Sequence, residues 1–256
     1  MAAVKESRLL LSVVSHRQAE FVLSFLRDLE ALRQPGLQVA LTLNVEEHWP
    51  HAPEAFGLPL LVLRNRRPKG FGANHNAAFR AAGCDFFCVA NPDIRLRSNP
   101  FPALLACLED ERTGAVAPRV LGADGKPEDN ARRFPTLPLL TRKLLQGAPT
   151  ALDYSDAAER SEPDWIAGMF MLFRRDSFAR VGGFDERYFL YYEDVDLCAR
   201  LRLAGMRILL EPRAEVVHLA QRQSRRSARY AWWHARSMAR WLSSQPCRRV
   251  TSAKSA

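Results

Sequence analysis

The chain has 256 residues, 47% hydrophobic and 25% charged, with a formal net charge of +9. That length suits one large domain or a domain with an appendage, and the composition is that of a globular protein. No apolar run approaches the ~20 residues a membrane span requires, and the excess of Lys and Arg points to anionic partners: nucleotide phosphates, nucleic acid or a lipid surface.

The opening run is interrupted by Ser12, Ser15 and His16 and no small-residue cleavage site follows it, so residues 8–14 read as a first buried strand and not as a signal peptide. Val22, Phe25, Leu26 and Leu29 then recur at helical spacing, and Pro35-Gly36 ends that helix. Residues 37–45 and 58–65 predict the next two strands. The stretch 68–83, PKGFGANHNAAFRAAG, predicts a Gly-rich turn feeding a short helix. CDFFCVA (84–90) is a fully apolar strand ending at Asn91-Pro92-Asp93, followed by a helix over 100–110 and a strand in GAVAPRV. Pro127, Pro135, Pro138, Pro149 and Pro163 break up residues 121–164, which are expected to be a long variable loop region able to fold over a bound ligand. Order returns from Asp164 with a strand, a short helix, a Gly-Gly turn, the helix EDVDLCARLRLAG, and two strands, MRILLEP and AEVVHLA. Leu197, Leu201 and Ala204 share one stripe of that helix. The five cysteines lie mostly in apolar patterns and read as core residues of a reducing compartment.

Alternating strands and helices imply an α/β fold, a Rossmann-like mostly parallel central sheet flanked by helices. Ligands of such sheets gather beyond the carboxyl ends of strands, where Asn44 and the Asn91-Pro92-Asp93 turn fall. Several short motifs could carry chemistry there, and each also has an ordinary structural reading. In Gly70–Asn76 the glycines and helix start could admit a phosphate with Lys69 adding charge, or could simply form a tight turn. Asp93 could hold a divalent cation against a diphosphate, or close an Asx-Pro turn. Glu193, Asp194 and Asp196 suit the start of a helix. Their aromatic approach, Tyr188, Phe189, Tyr191 and Tyr192, suits a sugar-binding wall that raises a neighbouring carboxylate toward the range of a general base. His218 ends an apolar strand and could be a metal ligand or a structural residue. No Asp or Glu occurs after Glu215, and residues 221–242 form a cationic, Trp-bearing amphipathic pattern. It fits an anionic bilayer surface or a C-terminal helix packed on the domain, with RNA binding a third reading.

The order of these motifs is more specific than any one of them. PKGFGANHN, then NPDIRL, then the block GGFDERYFLYYEDVDLCARLRLAG, then PRAEVVH, resembles glycosyltransferase family 2, in particular its rhamnosyltransferase-like bacterial branch, over about residues 8–220. The resemblance implies a GT-A fold with a nucleotide-binding half (1–120), the variable region (121–164), an acceptor and catalytic half (165–220) and a basic tail (221–256). It implies inverting transfer of a sugar from a nucleotide diphosphate to a hydroxyl of a glycan or lipid-linked glycan in cell-surface polysaccharide synthesis, with dTDP-rhamnose as the guess for the donor. A divalent cation, Mg²⁺ or Mn²⁺, would be held by Asp93 and His218. Asn44, Lys69, Gly70, Asn74, Asn91 and Asp93 would bind the donor. Asp194 would be the base, with Glu193 beside it. Trp165, Gly168, Tyr191 and Tyr192 would meet the acceptor. Asn91 replaces the family's first metal-motif carboxylate, and Leu43-Asn44 replaces its Asp-Asn pair. The enzyme is expected in the cytoplasm, peripheral on the inner membrane face, with no nucleic acid partner. The alternatives left standing are an idle nucleotide-sugar-binding protein and a basic nucleic-acid-binding protein; a nucleotidyltransferase-like enzyme would need a nucleotide-binding Gly/Arg signature near the N-terminus, which SVVSHRQAE does not show.

Overall fold

The computed structural model describes residues 8–136, 154, 158–219 and 228–252. Much of the predicted variable region, and Arg222 and Arg225 of the tail, lie outside the described residues.

Ten strands and the helices between them follow the chain as β1 (Leu9–Ser15), α1 (Ala19–Leu32), β2 (Leu37–Leu43), β3 (Leu60–Arg64), α2 (Phe71–Ala81), β4 (Phe86–Ala90), β5 (Ile94–Arg95), α3 (Phe101–Cys107), β6 (Thr113–Gly122), β7 (Ala131–Arg132), β8 (Trp165–Ile166), β9 (Phe170–Arg174), α4 (Arg175–Arg180), α5 (Glu193–Leu203), β10 (Arg207–His218), α6 (Ala228–Ser243) and α7 (Gln245–Ser252). An eight-stranded sheet has the order β3-β2-β1-β4-β9-β6-β10-β5, and β7 pairs with β8 in a separate ribbon. Strands β3, β2, β1 and β4 are parallel, as their apolar runs predict, and so are β6 and β10. The sheet is nevertheless mixed, because β9 runs antiparallel between β4 and β6 and β5 runs antiparallel to β10.

The two faces of the sheet sort by strand alternation. Leu9, Leu11 and Val13 of β1, with Phe170 and Leu172 of β9, pack under Val22, Phe25, Leu26 and Leu29 of α1 and Phe101 and Leu104 of α3. Leu10, Phe87, Val89, Met171 and Phe173 face the other way, toward Phe178 of α4, Leu197 and Leu201 of α5, and Trp241 of α6. At about 1.5–3 kcal/mol for each large apolar side chain taken from water, these two layers supply the main stabilisation. All five cysteines are buried in or beside them, and none is disulfide-bonded.

Two expected elements differ from the structure. The segment 165–174 is split into β8 and β9, because Ala167–Met169 turn through the edge of the sheet where hydrogen bonds go to Asn130 and Asn91 instead of continuing a ladder. The two strands expected over 206–220 are one strand, β10, with a register shift between Glu211 and Glu215 opposite Pro118 and Arg119. Pro212 has no N–H for the ladder, and a bulge accommodates it. The buried carboxylate of Glu211 pins the bulge. It accepts from the Arg213 backbone and guanidinium and from Arg160 at 2.7 and 2.9 Å.

Hydrogen bonds from Arg213 lead the effects that hold the Glu211 carboxyl down at about 2, against the opposing cost of burial. A depressed carboxyl stabilises the fold fully above its unfolded value of about 4.3, and the contribution fades as pH falls toward 2. Glu211→Gln is expected to cost about 2 kcal/mol at neutral pH, moderated because Arg160 and Arg213 are themselves solvated. Urea unfolding across pH 7 to 3 checks it: the gap to the wild type should narrow below pH 4.5, and a pH-independent gap would reject the assignment.

Candidate active site

The carboxyl ends of three neighbouring parallel strands open into one cleft. Val14, His16 and Arg17 come from the end of β1, Asn44 follows β2, and Ala90, Asn91, Pro92 and Asp93 follow β4. The cleft, of about 530 Å³, is completed by Lys69, Phe71 and Asn74 before and in α2, by Phe189, Leu190 and Tyr191, and by Arg229, Tyr230 and Trp233 of α6. The parallel order of β2, β1 and β4 brings these separate loops to one edge, the usual position of ligands on such sheets.

The turn before α2 is held by asparagine side chains. Asn44 Oδ1 accepts from the Lys69 N–H at 2.8 Å and from Asn65 at 2.9 Å, while its Nδ2 donates to the Lys69 carbonyl at 3.0 Å. Asn74 Nδ2 donates to the Gly70 carbonyl at 3.0 Å, and Asn65 donates to Asn74 Oδ1 at 2.7 Å. Asn44 and Asn74, expected at the donor, thus shape the loop that presents Lys69. Lys69 itself is exposed on the cleft rim.

The glycines of this turn correct the expectation of a phosphate cradle. A Cβ on Gly70 would lie 2.6 Å from the Phe189 carbonyl oxygen, and one on Gly72 would lie 2.5 Å from Phe184 Cβ. The Phe71 N–H donates to the Phe189 carbonyl at 2.9 Å, so the first amide of α2 is taken by protein. The missing side chains admit the 184–189 segment against the helix. Asn76 of the same helix grips Phe184, donating to its carbonyl at 2.8 Å and accepting from its N–H at 2.9 Å.

That segment leads to the acidic cluster through two consecutive residues in left-handed conformation, Tyr191 at φ 71° and Tyr192 at φ 67°. Non-glycine residues there cost of order 1 kcal/mol or more each and persist only where surroundings fix them. Helix α6 supplies the fixing contacts: Ser237 Oγ donates to the Leu190 carbonyl at 2.8 Å, and the His234 ring lies edge-on to Tyr191 and Tyr192 at 5.3 and 5.4 Å. The aromatic run is divided by this turn. Phe189 and Tyr191 face the cleft, whereas Tyr188 and Tyr192 are buried. Trp165, expected as an acceptor wall, is also buried, with its indole N–H donated to the Arg133 carbonyl and Arg132 stacked 5.4 Å from its ring centroid. Sugar-facing aromatic surface is accordingly smaller than the sequence suggests, because three of the rings, Trp165, Tyr188 and Tyr192, complete the core.

Glu193 and Asp194 open α5 but sit in different environments. Asp194 is partly buried and accepts from the N–H groups of Gly168 at 3.0 Å and Val195 at 2.8 Å. Desolvation raises its carboxyl above the ordinary value, while those N–H groups and Arg132 oppose the rise. Glu193 is buried, one of its oxygens has no hydrogen-bond partner, and desolvation followed by the Asp194 charge pushes it well above the usual carboxylate range. Both carboxyls are therefore raised by burial, Glu193 the more strongly, while the Gly168 and Val195 N–H groups favour the charged form of Asp194. Asp196, buried and bonded to Arg200 at 2.7 Å, anchors the helix to the Val181 and Gly183 carbonyls through that guanidinium.

Gly168 contacts Asp194 through its N–H, and a Cβ there would lie 2.9 Å from Phe71, which lines the cleft. The next carbonyl, of Met169, accepts from the Asn91 N–H at 2.9 Å. Two hydrogen bonds and two intervening residues, Gly168 and Met169, thus join Asp194 to the turn that carries Asp93, although Asp194 is not itself among the residues that line the cleft.

Asp93 is buried at the cleft floor with its Oδ1 3.3 Å from His218 Nε2, and His218 Nδ1 lies 2.7 Å from Glu128. Burial alone would lower the His218 pKa, but the hydrogen bonds to Asp93 and Glu128 raise it to about 9. Among the described residues no three His, Cys, Asp or Glu side chains form a ready metal cluster. An Asp and an imidazole oriented by a carboxylate on its far nitrogen still fit a cation that takes its remaining ligands from substrate oxygens. Glu128 had no signal in the sequence, since it lies in the irregular segment after β6. His16, Arg17 and the α6 residues were also not singled out for the cleft; the unusual density of Arg and aromatics in the tail was the available signal.

Known proteins resemble this chain in sequence and in fold. The sequence model of the family described as glycosyltransferase like family 2 matches residues 13–244. Rhamnosyltransferase WbbL of Escherichia coli (strain K12) is 34% identical over 188 residues, 68% of this chain and 70% of its own length. An N-acetylglucosaminyl-diphospho-decaprenol L-rhamnosyltransferase of Mycobacterium tuberculosis is 39% identical over 145 residues, 52% of this chain, which spans about half (47%) of that relative. The mannosyltransferase PcManGT from Pyrobaculum calidifontis, solved in complex with GDP-Man and Mn²⁺, superposes with a TM-score of 0.62 at 16% identity, over 90% of this chain and 60% of its own, a likeness of GT-A fold.

Asn44→Ala would leave the Lys69 N–H without its acceptor and loosen the turn before α2. A loss of about 1–3 kcal/mol in urea unfolding is expected; an unchanged midpoint would show that the asparagines do not hold this loop.

Proposed function

The chain belongs to glycosyltransferase family 2, and from that premise we propose that it moves a sugar, rhamnose by analogy with its relatives, from a nucleotide diphosphate donor to a hydroxyl of a glycan or lipid-linked glycan. One observation carries the reading. Asp93 on the cleft floor and Asp194 at the start of α5 are tied to the same short return, Gly168–Met169, so that a donor group and an acceptor group can be held on adjoining walls.

In this reading the donor lies in the cleft along Asn44, Lys69 and Asn91. A divalent cation would be held by Asp93 and His218, with Glu128 fixing the imidazole; when bound it offsets charge on the departing nucleoside diphosphate. Asp194, whose charged form the Gly168 and Val195 N–H groups favour, takes the proton from the acceptor hydroxyl. The oxygen then bonds to the anomeric carbon from the face opposite the leaving group, the bond to the diphosphate oxygen breaks, and that oxygen keeps the electron pair. Gly168 and Val195 hold the Asp194 oxygens in place for that contact. Burial and the Asp194 charge push the Glu193 carboxyl well above the usual range, which disfavours a second charge beside the base.

Asp194→Asn is expected to reduce transfer by about 10²–10⁴-fold while nucleotide diphosphate binding survives. Glu193→Gln imitates the protonated side chain and should retain most activity. The wild-type rate should fall as pH drops through the raised Asp194 value, above the ordinary aspartate range, because the base is lost on protonation. Full activity of Asp194→Asn, measured as sugar transfer to acceptor, would discard the assignment.

The exposed edge of α6 supports peripheral attachment to an anionic bilayer. Among the described residues no helix is long and apolar enough to cross a membrane. Trp232 is 55% exposed with the Arg236 guanidinium stacked over it at 5.3 Å, a pairing suited to the lipid headgroup region. Trp232→Ala combined with Arg236→Ala should lower binding to phosphatidylglycerol vesicles severalfold in a sedimentation assay and leave transfer to a short water-soluble acceptor intact. Equal sedimentation would remove the membrane role.

A further inference from the structure

Helix α6 does more than pack on the domain, since three of its residues line the cleft. Trp233 stacks on Phe189 with ring centroids 4.7 Å apart, and Tyr230 meets Trp233 edge-on at 5.2 Å. The Arg229 guanidinium lies 4.7 Å from the Trp233 centroid. A guanidinium on an indole that is itself fixed to the cleft wall has lost much of its freedom before any ligand arrives, so little more is lost when it binds.

Arg229 is not alone. Arg17, at the end of β1, and Lys69, before α2, stand on the same rim. Arg17 is held at φ 61°, an unfavourable backbone state for a non-glycine residue. Several arginines elsewhere in the domain are paired, for example Arg95 with Asp28 and Arg200 with Asp196. Among the described residues, no ion pair to a carboxylate engages Arg17, Lys69 or Arg229. The Arg229 charge is felt across the cleft: after desolvation, it is the next cause lowering the His16 pKa. Three unpaired cations around one concavity whose single lining carboxylate is Asp93 call for a compact ligand with more than one negative charge. Planar guanidinium donors match phosphate oxygens, and the adjoining Trp233, Tyr230 and Phe189 suit an apolar or ring-bearing group attached to them.

We propose that Arg229, held on Trp233 and assisted by Arg17 and Lys69, binds a diphosphate at the mouth of the cleft. The transfer reading above supplies two sources for that group, the nucleotide of the donor and the diphosphate that links an acceptor glycan to lipid, and the inference rests on that reading only for this choice.

Titration calorimetry with the full chain tests it, using inorganic pyrophosphate, a set of dTDP, UDP and GDP, and geranyl diphosphate. Arg229→Ala should weaken pyrophosphate binding roughly tenfold to a hundredfold, the usual cost of a lost charge-assisted hydrogen bond, and Arg229→Lys should recover part of it. Weakening shared by the best nucleotide but not by geranyl diphosphate assigns the donor; the converse assigns the acceptor. Arg229 is exposed, so the variant should keep the wild-type unfolding midpoint. Undiminished affinity of folded Arg229→Ala for all three ligand types overturns the proposal while leaving the transfer reading intact. Failure of the wild type to bind any of them removes both.

Discussion

The hydrogen bond from the Asn91 N–H to the Met169 carbonyl is the point on which the site depends. It forms because β9 is inserted antiparallel between β4 and β6, so the chain entering β9 passes the carboxyl end of β4. The metal-motif turn and the loop that contacts Asp194 are therefore neighbours in the sheet, not merely neighbours in a cavity. A wholly parallel sheet would bring that loop to the opposite edge. With strands fixed on both sides of it, Gly168–Met169 has little freedom to shift, and both Asp93 and Asp194 inherit its rigidity.

The aromatic turn before α5 takes the opposite approach and stores strain. Tyr191 and Tyr192 occupy left-handed conformations that neither ring favours, and the compensation comes from a helix about forty residues further along the chain. Trp241 sinks into the core, its indole N–H bonded to the Pro135 carbonyl, and anchors α6 so that Ser237 and His234 can brace the turn. The same helix carries Arg229, Tyr230 and Trp233 to the cleft. Its contribution to the domain and its contribution to the site have one cause, the seating of its buried face.

Charge is arranged by the same logic of burial set against partners. Glu193 and Asp194 are adjacent, yet only Asp194 receives an N–H from outside its own helix, from Gly168. Burial raises both carboxyls, Glu193 well above the usual range, and the Gly168 N–H opposes the rise at Asp194 alone. At the cleft floor, Glu128 and Asp93 flank His218 and keep its ring oriented. Along the rim, Arg17, Lys69 and Arg229 have no ion pair to a carboxylate among the described residues, so the site as a whole combines a carboxylate floor with a basic mouth, suited to a cation and a polyanion together.

Much of this was legible in the sequence. Apolar alternation and turn residues located the parallel strands, and the positions Asn44, Asn91 and Asp93 followed from strand ends alone, since side-chain periodicity and turn chemistry are local properties. The motif order carried the family and with it the candidate base. What the residues could not convey locally was which surface each would meet. Gly70 and Gly72 have the same backbone freedom whether a phosphate or Phe189 approaches, and Tyr188 and Tyr192 are as aromatic in a core as on a wall. The pairing of Glu128 with His218, the insertion of β9 and the return of α6 to the cleft bring together residues far apart in the chain, as Arg17 and Arg229 are. Those contacts are decided by how two apolar layers close around one sheet, and a chain's local preferences hold no record of that closure.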